Sequence, residues 1–230
     1  MADGTVYLQR GVTTHAVSLS TGETRWRVPT GLPSESTPAV TDETVYIARD
    51  DTYIRAVATA DGTERWRVKT DARIECNLAV VEDTVFAGTD SGDVLALDAA
   101  TGTERWRSQL APRQSGDNTR PERPETIATD GSRVYVVTDT TIVVLAAADG
   151  TRCWRTRSYQ GSYASGVAVG GGNVFVPTNE NNAALTAFDA ATGDTVQQLV
   201  GEDFRHFDIG PSVAEGGLYV AGGNAVARFS

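Results

Sequence analysis

The side chains most able to act as nucleophiles, bases or metal ligands are few and widely spaced in this sequence. His206 and Asp208 are two residues apart in one β-prone segment, so both side chains could lie on the same face of a strand. Two ligands are fewer than a zinc or calcium site uses. His15 has no residue nearby in sequence that would activate it. Cys76 is predicted in the first, innermost strand of one four-stranded repeat and Cys153 in the last, outermost strand of another. Strands placed in this way do not offer the geometry that a disulfide needs. We therefore expect two unpaired thiols, and we assign no catalytic residue and no metal ligand.

Two acidic turns, Arg49-Asp50-Asp51 and Thr89-Asp90-Ser91-Gly92-Asp93, could suggest calcium. Neither has the spaced carboxylates and the glycine of a calcium-binding loop, and both have the composition of hairpin turns. The sequence also contains no Gly-x-Ser-x-Gly, phosphate-binding or dinucleotide-binding motif. The residues that could do chemistry therefore favour a protein without a catalytic site.

The strongest signal in the sequence is a glycine followed four residues later by tryptophan. Tryptophan-to-tryptophan steps are 40, 40 and 48 residues, and a fifth copy has glutamine in the tryptophan position. The copies are Gly22/Trp26, Gly62/Trp66, Gly102/Trp106, Gly150/Trp154 and Gly193/Gln197. A second marker runs in phase, and its copies are Val6-Tyr7, Val45-Tyr46, Val85-Phe86, Val134-Tyr135, Val174-Phe175 and Leu218-Tyr219. Six copies of this apolar-aromatic pair predict six repeats.

Each full repeat reads as four short strands. In the third repeat the β-prone runs are residues 77–81, 84–88, 93–98 and 103–107, separated by turn residues. A period of about 40 to 50 residues built from such runs is typical of propeller blades, whereas helical repeats show apolar spacing of 3.6 residues. We therefore predict an all-β fold with no helix longer than about two turns.

The third repeat holds the whole pattern Ala-x-Asp-x-x-Thr-Gly-x-x-x-Trp at residues 96–106. This pattern closely resembles the repeat of pyrroloquinoline-quinone-type (PQQ-like) β-propellers, and the resemblance covers nearly the whole chain. It implies a β-propeller of six four-stranded repeats, the first and last incomplete, or alternatively an open fragment of a seven- or eight-bladed propeller. The repeat is shared by quinoprotein dehydrogenases and by non-catalytic propellers such as the outer-membrane assembly lipoprotein, so it specifies a fold more than a function.

The resemblance also implies structural roles for the glycine and the tryptophan of each copy. The glycine turns the chain from the third strand into the outermost strand, and the tryptophan packs against the neighbouring blade. A buried tryptophan covers on the order of 200 Å², which corresponds to several kcal/mol per copy as an upper estimate. The neighbouring arginines are expected to cover the outer edge with charge; they are Arg25, Arg27, Arg65, Arg67, Arg105, Arg107 and Arg155.

We interpret residues 1–230 as a single domain with repeats at about 1–31, 32–71, 72–107, 126–158, 159–201 and 202–230. Residues 108–125 interrupt this order and account for the longer third tryptophan step. Their content of Pro, Arg, Asn and Gly predicts an insertion loop, and long loops in compact domains are often functional. The insertion is therefore the segment most suited to a binding role.

The composition excludes some partner classes. A net charge of −10 disfavours nucleic acid and anionic membranes, and no apolar stretch has the length of a membrane span. The N-terminal residues lack a signal-peptide pattern, so we expect a cytoplasmic protein as written, or an extracytoplasmic one if the N-terminus is truncated. Nineteen of the 20 basic residues are arginine, and this acidic, arginine-rich composition favours salt adaptation, although high-GC codon usage alone would also produce the arginine bias.

The leading functional hypothesis is a non-catalytic binding or scaffold module for a protein or a small polar ligand. Its candidate binding face combines the insertion with acidic and polar turns; the residues are Arg113, Arg120, Arg123, Asp50, Asp51, Asp90, Asp93, Asp139 and 179–182. The alternative is a fragment or diverged relative of a quinoprotein dehydrogenase. Only this alternative implies PQQ and calcium as cofactors, and the adjacent cysteine pair that such enzymes carry has no counterpart here.

Overall fold

The computed structural model describes ten segments of the chain. They are residues 4–29, 37–49, 52–74, 76–115, 118–157, 166–177, 185–199, 209–214, 217–222 and 225–229. Every regular element within these segments is a β-strand, so the prediction of an all-β fold is confirmed. The chain divides into two compact units, Met1–Arg123 and Pro124–Ser230.

The first unit has three antiparallel sheets and one hairpin among its described residues. Sheet 1 has the order β1-β2-β3, with bounds Thr5–Arg10, Thr13–Ser18 and Thr24–Pro29. Sheet 2 has the order β4-β5-β6-β7, with bounds Ala39–Val40, Thr44–Arg49, Tyr53–Ala58 and Glu64–Lys69. Sheet 3 has the order β8-β9-β10-β11, with bounds Ala79–Val81, Thr84–Gly88, Asp93–Asp98 and Glu104–Gln109. The hairpin pairs β12 and β13, with bounds Arg113–Ser115 and Asn118–Arg120.

The second unit has three more antiparallel sheets among its described residues. Sheet 4 has the order β14-β15-β16-β17, with bounds Thr126–Thr129, Arg133–Val137, Thr141–Ala146 and Arg152–Arg157. Sheet 5 has the order β18-β19-β20-β21, with bounds Ala168–Gly170, Asn173–Pro177, Leu185–Asp189 and Thr195–Leu199. Sheet 6 has the order β22-β23-β24, with bounds Ile209–Ala214, Gly217–Gly222 and Ala225–Phe229.

One turn recurs between the third and fourth strands of a repeat. In sheets 1 to 5 the N–H of the marker glycine donates to the carbonyl four residues earlier, at 2.8 to 3.0 Å. Its φ angle lies between 71° and 80°, where a side chain would be strained. These residues are Gly22, Gly62, Gly102, Gly150 and Gly193. The glycine therefore fixes the reversal that starts the last strand.

A β-bulge follows this turn in the same five sheets, at the residue before the tryptophan position. The bulge residues are Arg25, Arg65, Arg105, Cys153 and Val196. A bulge adds one unpaired residue, bends the strand and increases its twist, so simple alternation of side chains does not hold there. Residue spacing does not reveal the bulge, because every copy contains it at the same position and the glycine-to-tryptophan spacing is therefore constant.

The apolar residues of the second and third strands form the contacts between neighbouring sheets within each unit. In the first unit Ala16 and Trp26 of sheet 1 pack with Val45, Ile47 and Val57 of sheet 2. In the second unit a similar cluster joins sheets 4 and 5, and another joins sheets 5 and 6. Burial of these faces is the main favourable contribution to sheet stacking.

Among the described residues the first and last sheets have three strands each, which agrees with the prediction that both repeats are incomplete. Three details of the predicted strands and loops need correction. Strand β11 continues through Ser108 and Gln109, so these residues belong to the sheet and not to the insertion. The insertion also contains the hairpin β12–β13 instead of being wholly irregular. Cys76 precedes the innermost strand of its repeat, which begins only at Ala79. The strand ends differ from the predicted ones in both directions, because tertiary packing as well as residue propensity decides where a strand ends.

Candidate functional site

Two tryptophans of the first unit each join their own sheet to the next one. Trp26 Nε1 of sheet 1 donates to the carbonyl oxygen of Thr59 in sheet 2, at 2.8 Å. Trp66 Nε1 of sheet 2 donates to the carbonyl oxygen of Ala99 in sheet 3, at 3.0 Å. Both acceptors lie three residues before a marker glycine. These acceptors could not be predicted from the sequence, because any residue type carries a backbone carbonyl.

The same geometry recurs in the second unit. Trp154 Nε1 of sheet 4 donates to the carbonyl oxygen of Ala190 in sheet 5, at 3.0 Å, and Gly193 again follows three residues later. Each indole also lies on the facing glycine, where a side chain would have no room. A Cβ atom would stand 3.0, 2.8 and 2.6 Å from the indole Cε3 atom at Gly62, Gly102 and Gly193. The glycine therefore serves the turn and the seat for the tryptophan at once.

The second sequence marker supports the tryptophan from within its own sheet. The ring pairs are tilted, with centroids 5.7 to 5.9 Å apart: Tyr7–Trp26, Tyr46–Trp66 and Phe86–Trp106. Tilted pairs at this distance are favourable and limit the freedom of the indole. The two markers thus combine into one contact surface on each of these sheets.

The bulge arginine of sheet 3 ties the outer strand to the rest of the sheet. Arg105 Nη2 contacts Asp83 Oδ2 at 2.7 Å and Asp98 Oδ2 at 2.8 Å, and Nη1 donates to Thr84 Oγ1 at 2.7 Å. These bonds from Arg105, followed by those from Thr101, lower the pKa of Asp98 to about 2. The arginine is therefore engaged in the sheet and is not an open binding group.

Arg107, which follows Trp106 in the sequence, links sheet 3 to the segment after sheet 2. Its Nη1 contacts Asp71 Oδ2 at 2.9 Å, in the segment that follows sheet 2, and Asp93 Oδ2 at 3.6 Å. Its Nη2 contacts Glu104 Oε2 at 2.8 Å in its own strand. Asp93, a predicted binding residue, is thus paired with an arginine of the scaffold.

The insertion hairpin rests on the turn between β9 and β10 at both of its ends. On one side Leu110 N–H donates to Gly92 O at 2.8 Å, and Gln109 Nε2 donates to Ser91 O at 3.1 Å. On the other side Glu122 is only 1 % exposed, and a Cβ on Gly92 would stand 2.9 Å from its carbonyl oxygen. The hairpin is therefore attached to sheet 3 by two roots, and residues 111–121 lie between them.

The structure brings together only part of the predicted binding face. Asp90 lies in the turn that contacts the hairpin, and Asp93 begins β10 just after that turn. Arg120 and Arg123 are exposed beside the second root of the hairpin. Arg113 begins β12, but the described part of the chain does not include its side chain. Asp139 belongs to the second unit. The remaining members, Asp50, Asp51 and residues 179–182, lie outside the described residues.

The second unit contains a pair of carboxylates at one end of sheet 4. Burial raises the pKa of Glu125, and the negative charge of Asp139 raises it further. Tyr135 Oη donates to Asp130 Oδ2 at 2.7 Å near the other end of the same sheet. No group of three His, Cys, Asp or Glu side chains within the described segments could hold a metal ion.

The cysteines and histidines are separate from one another. Cys76 is buried with its thiol 3.4 Å from the carbonyl oxygen of Gly88, Cys153 is exposed at its bulge, and neither forms a disulfide. His15 pairs with Leu8 and Arg27 across sheet 1, while His206 and Asp208 lie outside the described residues. In the segments that the structure covers, no helix has the length and hydropathy needed to cross a membrane.

Comparisons with known proteins agree with this geometry. A family model described as outer membrane protein assembly factor BamB matches residues 1–199 and 114–230. Comparison with curated protein sequences gives no match. BamB from Moraxella catarrhalis is 16 % identical with a TM-score of 0.73, and the match covers 97 % of this chain and 69 % of that one.

Two quinohaemoprotein alcohol dehydrogenases are similar over a smaller part of their length. For ADHIIG from Pseudomonas putida HK5 the identity is 18 %, the TM-score 0.66 and the coverage 87 % of this chain and 41 % of that one. For the enzyme from Comamonas testosteroni the values are 16 %, 0.66, 87 % and 42 %. The chain therefore spans about two fifths of these enzymes, and at such identities the likeness is one of fold. Together with the repeat geometry, the family match shows that the chain belongs to the PQQ-like β-propeller repeat family of the outer membrane protein assembly factor BamB.

Proposed function

We propose that this chain is a non-catalytic binding module whose sheets support the hairpin β12–β13 as a contact surface for a protein partner. The observation that carries the proposal is the attachment of the hairpin to sheet 3 at both roots, through Leu110 and Glu122. A loop held at both ends on a rigid scaffold loses little conformational entropy on binding.

The charges beside the hairpin suit a partner with surface carboxylates. Arg120 and Arg123 are exposed, and neither makes an ion pair with the described residues, whereas Arg105 and Arg107 are engaged within the sheets. Exposed guanidinium groups bind carboxylates in a bidentate manner. The family description names an assembly factor, and such a factor acts by contact with other proteins.

The test begins with affinity capture and crosslinking from extracts of the source cells at physiological salt. A purified partner is then measured against the intact chain and against Arg120→Ser/Arg123→Ser. We expect at least a tenfold loss of affinity, about 1.4 kcal/mol. Arg152→Ser/Arg157→Ser removes the same charge from exposed positions of β17 and is the matched control. Equal affinity of the two double variants would refute the role of the hairpin.

Quinone-dependent oxidation is the second candidate, favoured by the likeness to the two dehydrogenases. The residues do not fit the enzyme pattern that the repeat resemblance implies, because Cys76 is buried against a backbone carbonyl and Cys153 is exposed in another unit. We therefore derive no reaction step for this chain. Saturable binding of PQQ with calcium, together with turnover of an alcohol or a sugar, would overturn the non-catalytic proposal.

A further inference from the structure

One face of sheet 1 is exposed although its composition is that of a sheet contact. This first-sheet face consists of Val6 and Leu8 on β1, Val17 on β2, and Leu19 and Gly22 in the following turn. Leu8 is 38 % exposed and Leu19 is 63 % exposed. Sheet 1 therefore places Trp26 on sheet 2, while on its opposite face Leu8, Leu19 and Gly22 are exposed and Val6 and Val17 are half-buried.

The repeats show that this exposure departs from a common pattern. In the other five sheets, the two residues equivalent to Val6 and Leu8 are all at most 6 % exposed. They are Val45 and Ile47, Val85 and Ala87, Val134 and Val136, Val174 and Val176, and Leu218 and Val220. The first-sheet face therefore carries the same kind of aliphatic residues, but Leu8 is far more exposed than its equivalents.

The seat for a tryptophan is also present on this face, and no described residue covers it. Gly22 has the turn geometry of the other marker glycines, with φ at 73°, but a Cβ added to it would meet no atom within 4 Å. The carbonyl of Leu19 lies three residues earlier, where Thr59 and Ala99 accept the indole N–H of Trp26 and Trp66. Within the described segments no backbone donor reaches the Leu19 carbonyl. The face thus offers a flat glycine, an acceptor and an aliphatic surround.

Arg27 follows Trp26 in sheet 1, and the equivalent arginine of sheet 3 pairs with a carboxylate from the neighbouring sheet's side. Arg27 occupies the position of Arg107, which binds Asp71, and Asp71 lies five residues after Trp66. Arg27 makes no ion pair with the described part of the chain. A carboxylate five residues after the incoming tryptophan would therefore complete the contact.

We propose that the first-sheet face docks a tryptophan-bearing β-hairpin of the same repeat type, supplied by a partner chain. The incoming indole lies on Gly22 and donates its N–H to the Leu19 carbonyl. A second copy of this chain would have to break a native contact to supply it, because none of the four tryptophans is without a partner. The proposal does not depend on the hairpin β12–β13.

The probe is a backbone-cyclised peptide of residues 53–71, which carries Trp66 and Asp71; cyclisation counters the marginal stability of an isolated hairpin. Its binding to the intact chain is measured by fluorescence anisotropy after circular dichroism has shown that the peptide is folded. We expect saturable binding that weakens at least tenfold for Gly22→Ala, for Leu8→Asp and for the peptide with Trp66→Ala. Gly11→Ala is the control, since Gly11 has φ at 57° and open space around its Cβ position.

Charge pairing is tested with Arg27→Ser and with the peptide carrying Asp71→Asn. Each single change should weaken binding, and combining them should add nothing, because both remove the same contact. Failure of the folded peptide to bind, or binding by Gly22→Ala and Leu8→Asp equal to that of the intact chain, would overturn the proposal. Concentration-dependent dimerisation of the chain alone that Leu8→Asp abolishes would also overturn it, because the occupant would then be a second copy.

Discussion

The dual role of the marker glycine can be tested by comparing Gly102→Ala with Gly22→Ala. The two glycines have nearly the same backbone, with φ at 75° and 73°. They differ in what faces them. A Cβ at Gly102 would meet Trp66 Cε3 and Val68 Cγ2, each at 2.8 Å, while one at Gly22 would meet no atom within 4 Å. The pair therefore separates the strain of the turn from the clash with the docked indole.

The expected magnitudes follow from these two contributions. Placing alanine in the left-handed region costs roughly 1–2 kcal/mol at either glycine. Overpacking a close contact costs about 1–3 kcal/mol more, and only Gly102→Ala incurs it. We expect Gly102→Ala to lose about 2–5 kcal/mol in total and Gly22→Ala to lose only the strain. For a chain of this size each kcal/mol corresponds to roughly 2–4 °C in Tm.

The assay is urea unfolding followed by far-ultraviolet circular dichroism and tryptophan fluorescence, with each resolved transition fitted separately. Gly102→Ala should also be measured in the background of Trp66→Ala, where its cost should fall toward that of Gly22→Ala because the ring is gone. The close approach of Val68 Cγ2, at 2.8 Å, persists in that background, so part of the overpacking cost remains. Equal free-energy losses for Gly102→Ala and Gly22→Ala in the otherwise intact chain would refute the reasoning.

Three further outcomes are expected. Trp66→Ala should lower the free energy of unfolding by about 3–5 kcal/mol. Trp66→Phe should lower it less, because it mainly loses the hydrogen bond to Ala99 O, and equal losses for the two variants would contradict this. The pKa of Asp98 is lowered to about 2, so its contribution to stability is present above about pH 4 and is lost as pH falls through about 2. Asp98→Asn should therefore flatten the acid side of the stability profile measured by urea midpoints, and an unchanged profile would argue against the Arg105 contact. The net charge of −10 should make Tm rise from low to molar KCl because screening weakens repulsion, and a flat or falling Tm would exclude salt adaptation.

The sequence predicts the sheets well because two independent markers run in phase. Strands β9 and β10 have the predicted bounds, 84–88 and 93–98, since each is a β-prone run enclosed by turn residues. The three-stranded first and last sheets also follow from the positions of the markers. Fold class and family were therefore within reach of the sequence because the repeat supplies several copies of each signal.

The candidate site was less predictable because its contacts depend on atoms that residue type does not reveal. The carbonyl of Thr59 accepts the Trp26 bond whatever side chain it carries. Glu122 reads as a solvent-exposed loop residue but is buried at a root of the hairpin, because the turn at Gly92 closes over it. Asp93 reads as free to bind a ligand but pairs with Arg107. Such relations arise between segments that are distant in sequence.

Within each unit the recurring contact has a direction, since a sheet carries its tryptophan on one face and the glycine that receives a tryptophan on the other. Sheet 5 receives Trp154 on Gly193, yet its own strand carries Gln197, which is exposed. Sheet 6 packs on sheet 5 through aliphatic residues such as Leu185 and Leu218. Donating and receiving are therefore separable functions of one repeat. Sheet 1 donates Trp26, and no described indole lies on Gly22, so a tryptophan from another chain would dock there without displacing a described contact.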